Sequence, residues 1–217
     1  MSFQIFWQRA VGPLACNCYI VGDPDTKDAL VIDPGGDADV IGSEVERLGL
    51  KVAAIIATHA HFDHVIASDA LREATGAPFM LHTADRPLLD WVQESAQIFL
   101  GLELPPPAEV DTDASEGQRL AVGSVEIEVI HTPGHSPGSI SLVAPDALFS
   151  GDTLFAGSVG RTDLPGGDTD ALITAVRSKL FALPDDLAVH PGHGPATTIA
   201  REKASNPFVG DGASGLG

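Results

Sequence analysis

The chain has 217 residues, 44% of them hydrophobic and 19% charged, which fits a soluble globular protein with one substantial core. No apolar run reaches the roughly 18 residues of a membrane span, and the N-terminus lacks a basic start and a long apolar centre, so a cytoplasmic protein without a signal peptide is expected. Thirty Asp and Glu against twelve Lys and Arg give a formal charge of -18, which would repel a phosphate backbone and argues against nucleic acid as the main partner.

Residues 3–9, 16–22 and 29–33 read as strands, the last two joined by the turn-rich Asp23-Pro24-Asp25-Thr26, so an antiparallel start is predicted. The only cysteines, Cys16 and Cys18, stand two apart in the second strand, share a face and are poorly placed to bridge. Reduced thiols beside the core are expected. Asp33-Pro34-Gly35-Gly36 makes a sharp turn, residues 37–48 carry Val40, Ile41, Val45 and Leu48 at helical spacing, and Gly49 closes that helix. The apolar run 52–57 is a buried strand, and residues 65–71 begin a helix for which Asp63 is the expected N-cap.

Residues 78–81 read as a short strand and 84–100 as one helix, with Leu88, Leu89, Trp91, Val92 and Phe99 on an apolar side expected to pack in the core, a substrate-pocket wall being the alternative. Pro105-Pro106-Pro107 opens a connection whose Asp111, Asp113 and Glu116 read as solvated loop. Strands at 124–130, 139–143, 147–150 and 187–190 and helices at 169–181 and 197–204 complete a looser echo of the first half. Two runs of strands, each with covering helices, predict two sheets face to face with helices outside. Residues 1–209 form a single domain on this reading, and 210–217 a Gly-rich tail of linker composition.

The chemistry concentrates in Thr58-His59-Ala60-His61-Phe62-Asp63-His64, on the loop between strand and helix. Alternation along extended backbone lets His59, His61 and Asp63 converge, and the turn into the helix swings His64 to a neighbouring point. Further candidates recur at strand ends: His135 in a Gly- and Pro-rich turn, Asp152 after Phe149-Ser150-Gly151, and His193 in His190-Pro191-Gly192-His193. Five imidazoles and two carboxylates exceed the needs of one tetrahedral ion, which argues for two divalent metals, and such ligands suit zinc, iron or manganese.

The order His-x-His-x-Asp-His followed by His135, Asp152 and His193 closely resembles the metallo-β-lactamase superfamily, an α+β, four-layer αβ/βα sandwich. Gly151-Asp152-Thr153-Leu154-Phe155, Gly160-Arg161-Thr162-Asp163-Leu164-Pro165, Pro191-Gly192-His193-Gly194-Pro195 and Asn206-Pro207-Phe208 look like its glyoxalase II branch, in the short, single-domain form. The resemblance implies that His59, His61 and His135 hold one metal, that Asp63, His64 and His193 hold the second, and that Asp152 bridges them, with two zinc ions as the first expectation. It also implies that Asp33 supports the site from a neighbouring turn.

The activity so implied is hydrolysis of a glutathione-linked thioester, S-lactoylglutathione, by a metal-bridging hydroxide that Asp63 helps to orient. Arg161 occupies a position where the branch commonly has a basic residue facing glutathione, and Arg201 and Lys203 lie near the C-terminal Asn-Pro-Phe segment. A rival with the same motifs is a mononuclear-iron persulfide dioxygenase using His59, His135 and Asp152. A lactonase fits less well because the Gly160-Arg161-Thr162-Asp163 and Asn206-Pro207-Phe208 segments look like the glutathione-linked branch, and a non-catalytic binding protein because no ligand is missing. His131 could stand behind the site, and His82 and His190 read as structural; oligomeric state is open.

Overall fold

The computed structural model describes residues 2–213; residues 214–217 of the expected tail lie outside the described residues. The first half runs β1 (Gln4–Val11), β2 (Cys16–Gly22), β3 (Asp28–Ile32), α1 (Ala38–Leu48), β4 (Lys51–Ile56), α2 (Phe62–Val65), α3 (Ser68–Thr75), β5 (Phe79–Leu81), α4 (Arg86–Leu89), α5 (Val92–Leu100) and β6 (Thr112–Asp113). Its strands form one six-stranded sheet in sequential order, antiparallel from β1 to β3 and parallel from β3 to β6. The second half runs β7 (Arg119–Val122), β8 (Val125–His131), β9 (Ile140–Val143), β10 (Ala147–Gly151), β11 (Leu154–Phe155), β12 (Ser158–Val159), α6 (Thr169–Ser178), β13 (Ala188–Pro191), β14 (Thr197–Thr198) and α7 (Ile199–Ser205). It builds a sheet ordered β14-β13-β10-β9-β8-β7, with β11 and β12 as a small separate pair.

Three apolar clusters correspond to the three interfaces of a four-layer αβ/βα sandwich. Tyr19, Val21, Leu30, Ile32, Ile56, Ile127, Leu142 and Phe149 fill the space between the sheets. Cys18, Ile20, Val31, Ile55, Leu71 and Val92 pack the other face of the first sheet on its helices, and Leu148, Leu172, Val176 and Val189 do the same for the second. The period of two explains the partition: Tyr19 and Val21 face one way from β2, Cys18 and Ile20 the other, and both faces are buried. Such strands read as continuous apolar runs, which is why the sequence reveals them so readily.

Asp23 ties the two sheets together at their edge. Its Oδ2 accepts from the backbone N and the hydroxyl of Ser124, both at 2.7 Å, while Oδ1 accepts from the Asp25 N at 2.8 Å. These donors, those of Ser124 first, hold its carboxyl well below the usual carboxylate range.

Several local expectations are corrected. The helix expected near His64 is two, α2 and α3, with the break at Ile66-Ala67, and the residue at the N-cap of α2 is His61, so Asp63 lies inside the first turn. The expected 84–100 helix is a 3-10 turn at Thr83–Asp85 followed by α4 and α5, because Asp85 is held elsewhere and Asp90-Trp91 breaks the run. The acidic connection contains β6, and its charges are paired rather than simply solvated. Asp111 takes Arg72 in a bidentate pair at 2.7 Å, Asp113 accepts from Arg86, and Glu116 accepts from the His131 backbone N at 2.5 Å and lies 3.1 Å from Lys179 Nζ. Strand β7 was also illegible in the sequence, being four residues long and half exposed.

Candidate metal centre

The ends of β3, β4, β8, β10 and β13 meet at one rim of the sandwich, and the loops that leave them carry the candidate ligands. Asp33, at the end of β3, adopts a left-handed φ of 51°, a conformation uncommon outside glycine but tolerated by Asp. In that pose Oδ1 accepts from the Thr58 backbone N at 2.6 Å and Oδ2 from the Thr58 hydroxyl at 2.8 Å. The same Oδ2 lies 3.1 Å from Nδ1 of His64. One carboxylate thus fixes the start of the histidine loop and orients the ring at its far end.

All seven residues converge. His59 Nε2 and His135 Nε2 are 3.1 Å apart, and His193 Nε2 lies 3.1 Å from Asp63 Oδ2. Asp152 sits between the two groups, with Oδ2 3.6 Å from His135 Nε2 and 3.7 Å from His193 Nε2, and Oδ1 3.5 Å from His64 Nε2. His59, His61 and His135 form one compact donor set, and His59, His64 and Asp152 another.

The hydrogen bonds around the rings test whether this cluster fits cations. The Thr58 hydroxyl donates to Asp33, so it must accept from Nδ1–H of His59, 3.1 Å away. His135 donates its Nδ1–H to the Arg161 carbonyl at 2.8 Å. In neutral rings both protons are then spent, and the two Nε2 lone pairs face each other. Two acceptors at that separation repel unless a shared cation stands beside them. Buried His61 Nε2 and Asp152 Oδ1 likewise have no hydrogen-bond partner, a costly state for polar atoms in protein interior.

The electrostatics agree with that test. Burial, then the neighbouring imidazoles, pushes His59 well below the ordinary imidazole value and His61 down to about 3, so both rings are neutral and free to ligate. Burial works against ionisation of Asp63 and against protonation of His64. Neighbouring His64 and His193 nevertheless hold Asp63 down at about 2, while Cys16, Asp33, Asp152 and Asp63 raise His64 well above its ordinary value. The carboxylates demand positive charge at this point, and a divalent ion supplies more of it than a proton.

Three supports escape sequence reading. Asp85, fully buried, accepts from Ala60 N at 2.9 Å and the Ser136 hydroxyl at 2.7 Å through Oδ2, and from Gly138 N at 2.5 Å through Oδ1. It therefore holds the His59–His61 segment against the His135 turn; it looked like any polar residue opening a helix. Cys16, expected beside the core, is buried but places Sγ 3.5 Å from His64 Nδ1, and burial raises its thiol to about 12. Asn17 and Tyr19 grip the His193 loop: Asn17 Nδ2 donates to the carbonyls of Pro191 and Gly194, and the Tyr19 hydroxyl to that of Pro191 at 2.7 Å.

The cluster forms the floor of a cavity of about 250 Å³ walled by Leu14, Phe62, Trp91, Phe99, Leu100 and Leu164. Of the residues expected on a core-packed helix side, Val92 is buried and Leu88 and Leu89 pack at the core's edge. Trp91 and Phe99 instead face the cavity, edge to face at 6.1 Å, because the break before α5 turns that helix toward the rim.

Residues 11–193 match the family model of the metallo-beta-lactamase superfamily. The chain belongs to the metallo-beta-lactamase superfamily. Among curated relatives it is 39% identical to the probable metallo-hydrolase YqgX of Bacillus subtilis, over 94% of this chain and 97% of that one. It is also 39% identical to the hydroxyacylglutathione hydrolase GloC of Haemophilus influenzae, over 89% and 92%. Among solved structures, the BLEG-1 B3 metallo-beta-lactamase superposes with a TM-score of 0.87 at 40% identity, covering 96% of this chain and 99% of that one. TTHA1623 in a di-iron-bound form gives 0.85 at 41%, covering 93% and 98%.

The other expected residues divide within this superfamily frame. Arg161 lines the cavity, its guanidinium held by Asp163 through two bonds of 2.7 and 2.8 Å. Lys203 is bound by Asp185, and neither it nor exposed Arg201 lines the cavity. His131 is not behind the metal cluster; it stacks on His82 at 4.1 Å and bonds the Pro137 carbonyl. His190 stacks on Phe149 at 5.4 Å. No helix of the described residues is long and apolar enough to cross a membrane.

Proposed function

We propose that this metallo-hydrolase is a thioester hydrolase of glyoxalase II type, acting on S-lactoylglutathione or a related acyl thioester. The observation that carries the reading is Asp152 lying between the His59, His61 and His135 group and the His64, His193 and Asp63 group at the floor of a single cavity, and the hydroxyacylglutathione hydrolase among the relatives supports it. His59, His61 and His135 would hold one divalent ion, Asp63, His64 and His193 the other, and Asp152 both, with zinc the first candidate and iron the second. Such a pair of ions supplies a water-derived nucleophile at neutral pH and polarises a carbonyl.

The chain's own groups do the rest. Asp63, ionised and fixed against His193, is placed to accept a proton from the attacking water and so to orient it. Arg161 keeps the His135 ring in register through its carbonyl, and Asp33 does the same for His64. The apolar walls exclude bulk water from the reacting carbonyl. A thiol leaving group has a pKa of about 8.5 and departs as thiolate without a dedicated acid, so the absence of a free general acid among the lining residues is no obstacle.

The test is thiol release from S-lactoylglutathione by protein of measured metal content, beside oxygen uptake with glutathione persulfide and turnover of a chromogenic cephalosporin. Thioester turnover that Asp152→Ala abolishes, with the fold intact by circular dichroism, is expected. Oxygen consumption with one iron per chain would move the site to a two-histidine, one-carboxylate dioxygenase; cephalosporin turnover alone would make it a lactamase.

A further inference from the structure

Apart from the expected metal ligands, three side chains with polar atoms line the cavity, Trp91, Ser95 and Arg161. Two of them are engaged within the protein. The Ser95 hydroxyl donates to the Val92 carbonyl at 2.9 Å within its own helix, and Arg161 is committed to Asp163. The donors left over are the indole N–H of Trp91 and the remaining N–H groups of the 59% exposed Arg161 side chain, and the rest of what the walls present is hydrocarbon and aromatic surface.

That surface continues outward. Of the wall residues Phe99 is 51% exposed and Leu14 and Leu100 are exposed as well, and Ile98 and Leu102, next to them in the chain, are also exposed. Single exposed apolar residues are ordinary, but a contiguous set running into a catalytic cavity marks a binding surface. It lies at the end of α5, whose break from α4 aims Trp91 and Phe99 at the rim.

Resting on the thioester reading above, we propose that the α5 wall is a subsite for an apolar substituent of the thioester, several carbons long, seated between Leu14, Trp91, Phe99 and Leu100. The chain is selective for alkyl or aryl thioesters over short hydroxyacyl ones, and the charged part of the thiol carrier stays at the mouth. Each methylene that enters raises binding about fourfold, the equivalent of about 0.8 kcal/mol.

The first measurement is binding without turnover. Tryptophan fluorescence, from Trp91 in the wall and Trp7 away from it, is titrated with S-methyl-, S-butyl- and S-hexylglutathione, which are thioethers and cannot be hydrolysed. Expected is a dissociation constant that falls about fourfold per methylene, a series that Phe99→Asp flattens and Phe99→Leu preserves, with unchanged circular dichroism and metal content in both variants. The second is kcat/KM for hexanoylglutathione, S-lactoylglutathione and the lactoyl ester of hexanethiol, which tells whether the acyl or the thiol side enters the subsite.

A dissociation constant independent of alkyl length overturns the inference even if thioesters are hydrolysed. Length-dependent binding with no thioester turnover upholds the subsite and sinks the hydrolase reading. Light scattering that shows a dimer dissolved by Phe99→Asp, with no alkyl dependence, would give the wall to a second copy of the chain and overturn the proposal.

Discussion

Nε2 of His59 and Nε2 of His135 face each other at 3.1 Å while both rings spend their protons on the far side, one on the Thr58 hydroxyl and one on the Arg161 carbonyl. The lone pairs are aimed before any ion arrives. Thr58 is the less obvious half of that device, since its own proton goes to Asp33 and forces the hydroxyl to accept.

Thr58→Val removes the acceptor and leaves the His59 tautomer free. Losing a partner of this kind typically costs about 10–100-fold in metal affinity, so competition with a chromogenic chelator should show that loss. The metal-free protein should lose stability as well, by about 1–3 kcal/mol for each of the two buried partners left unpaired, Asp33 and His59.

Asp85→Ala leaves Ala60 N, Gly138 N and the Ser136 hydroxyl without their acceptor in a dry interior. Each stranded donor costs about 1–3 kcal/mol, so the urea midpoint should fall by the equivalent of about 3 kcal/mol or more. Asp85→Asn, which keeps an acceptor oxygen, should recover part of the loss.

A Cβ on Gly192 would run into Asp152 Oδ1 and come within 2.7 Å of His64 Cε1. Gly192→Ala therefore displaces the carboxylate that stands between the two groups of donors. Metal content should drop below that of the parent protein and activity by about 100-fold or more, in line with the effect of a 1 Å misplacement at a reacting centre. Normal metal content and activity would show that the loop gives way freely.

Arg72 first, then the Phe79 backbone N, holds the carboxyl of Asp111 down at about 2. Because the folded value is below the ordinary value of about 3.9, the unfolded chain takes up the proton first as pH falls. The stability contributed by this carboxylate is present above about pH 4 and lost toward pH 2. In metal-free protein, urea midpoints between pH 5 and pH 2.5 should fall less steeply for Asp111→Asn than for the parent; identical slopes would show the pair to be inert.

Legibility followed physical cause. Strands β2, β3 and β4 could be read because both their faces are buried, and the seven residues that converge at the rim could be read because His and Asp recur at the ends of strands. What stayed hidden was relational. Asp85 is one acidic residue among thirty, and only the packing of the His135 turn against the His59 loop gives it three donors. Trp91 and Phe99 have the same helical spacing whether they face core or cavity, and the break at Asp90-Trp91 that decides between them leaves no strong punctuation in the sequence. The pairing of Asp111, Asp113 and Glu116 depends on partners 15 to 63 positions away or on a neighbouring layer, which composition cannot show.

The grip of Asn17 and Tyr19 on the Pro191–Gly194 loop bears on how such a protein is loaded. That loop reaches its place through ordinary hydrogen bonds to β2, so His193 is positioned by the fold and not gathered by an ion. Dialysis against a chelator should therefore leave the loop where it is, ready to take metal back without refolding.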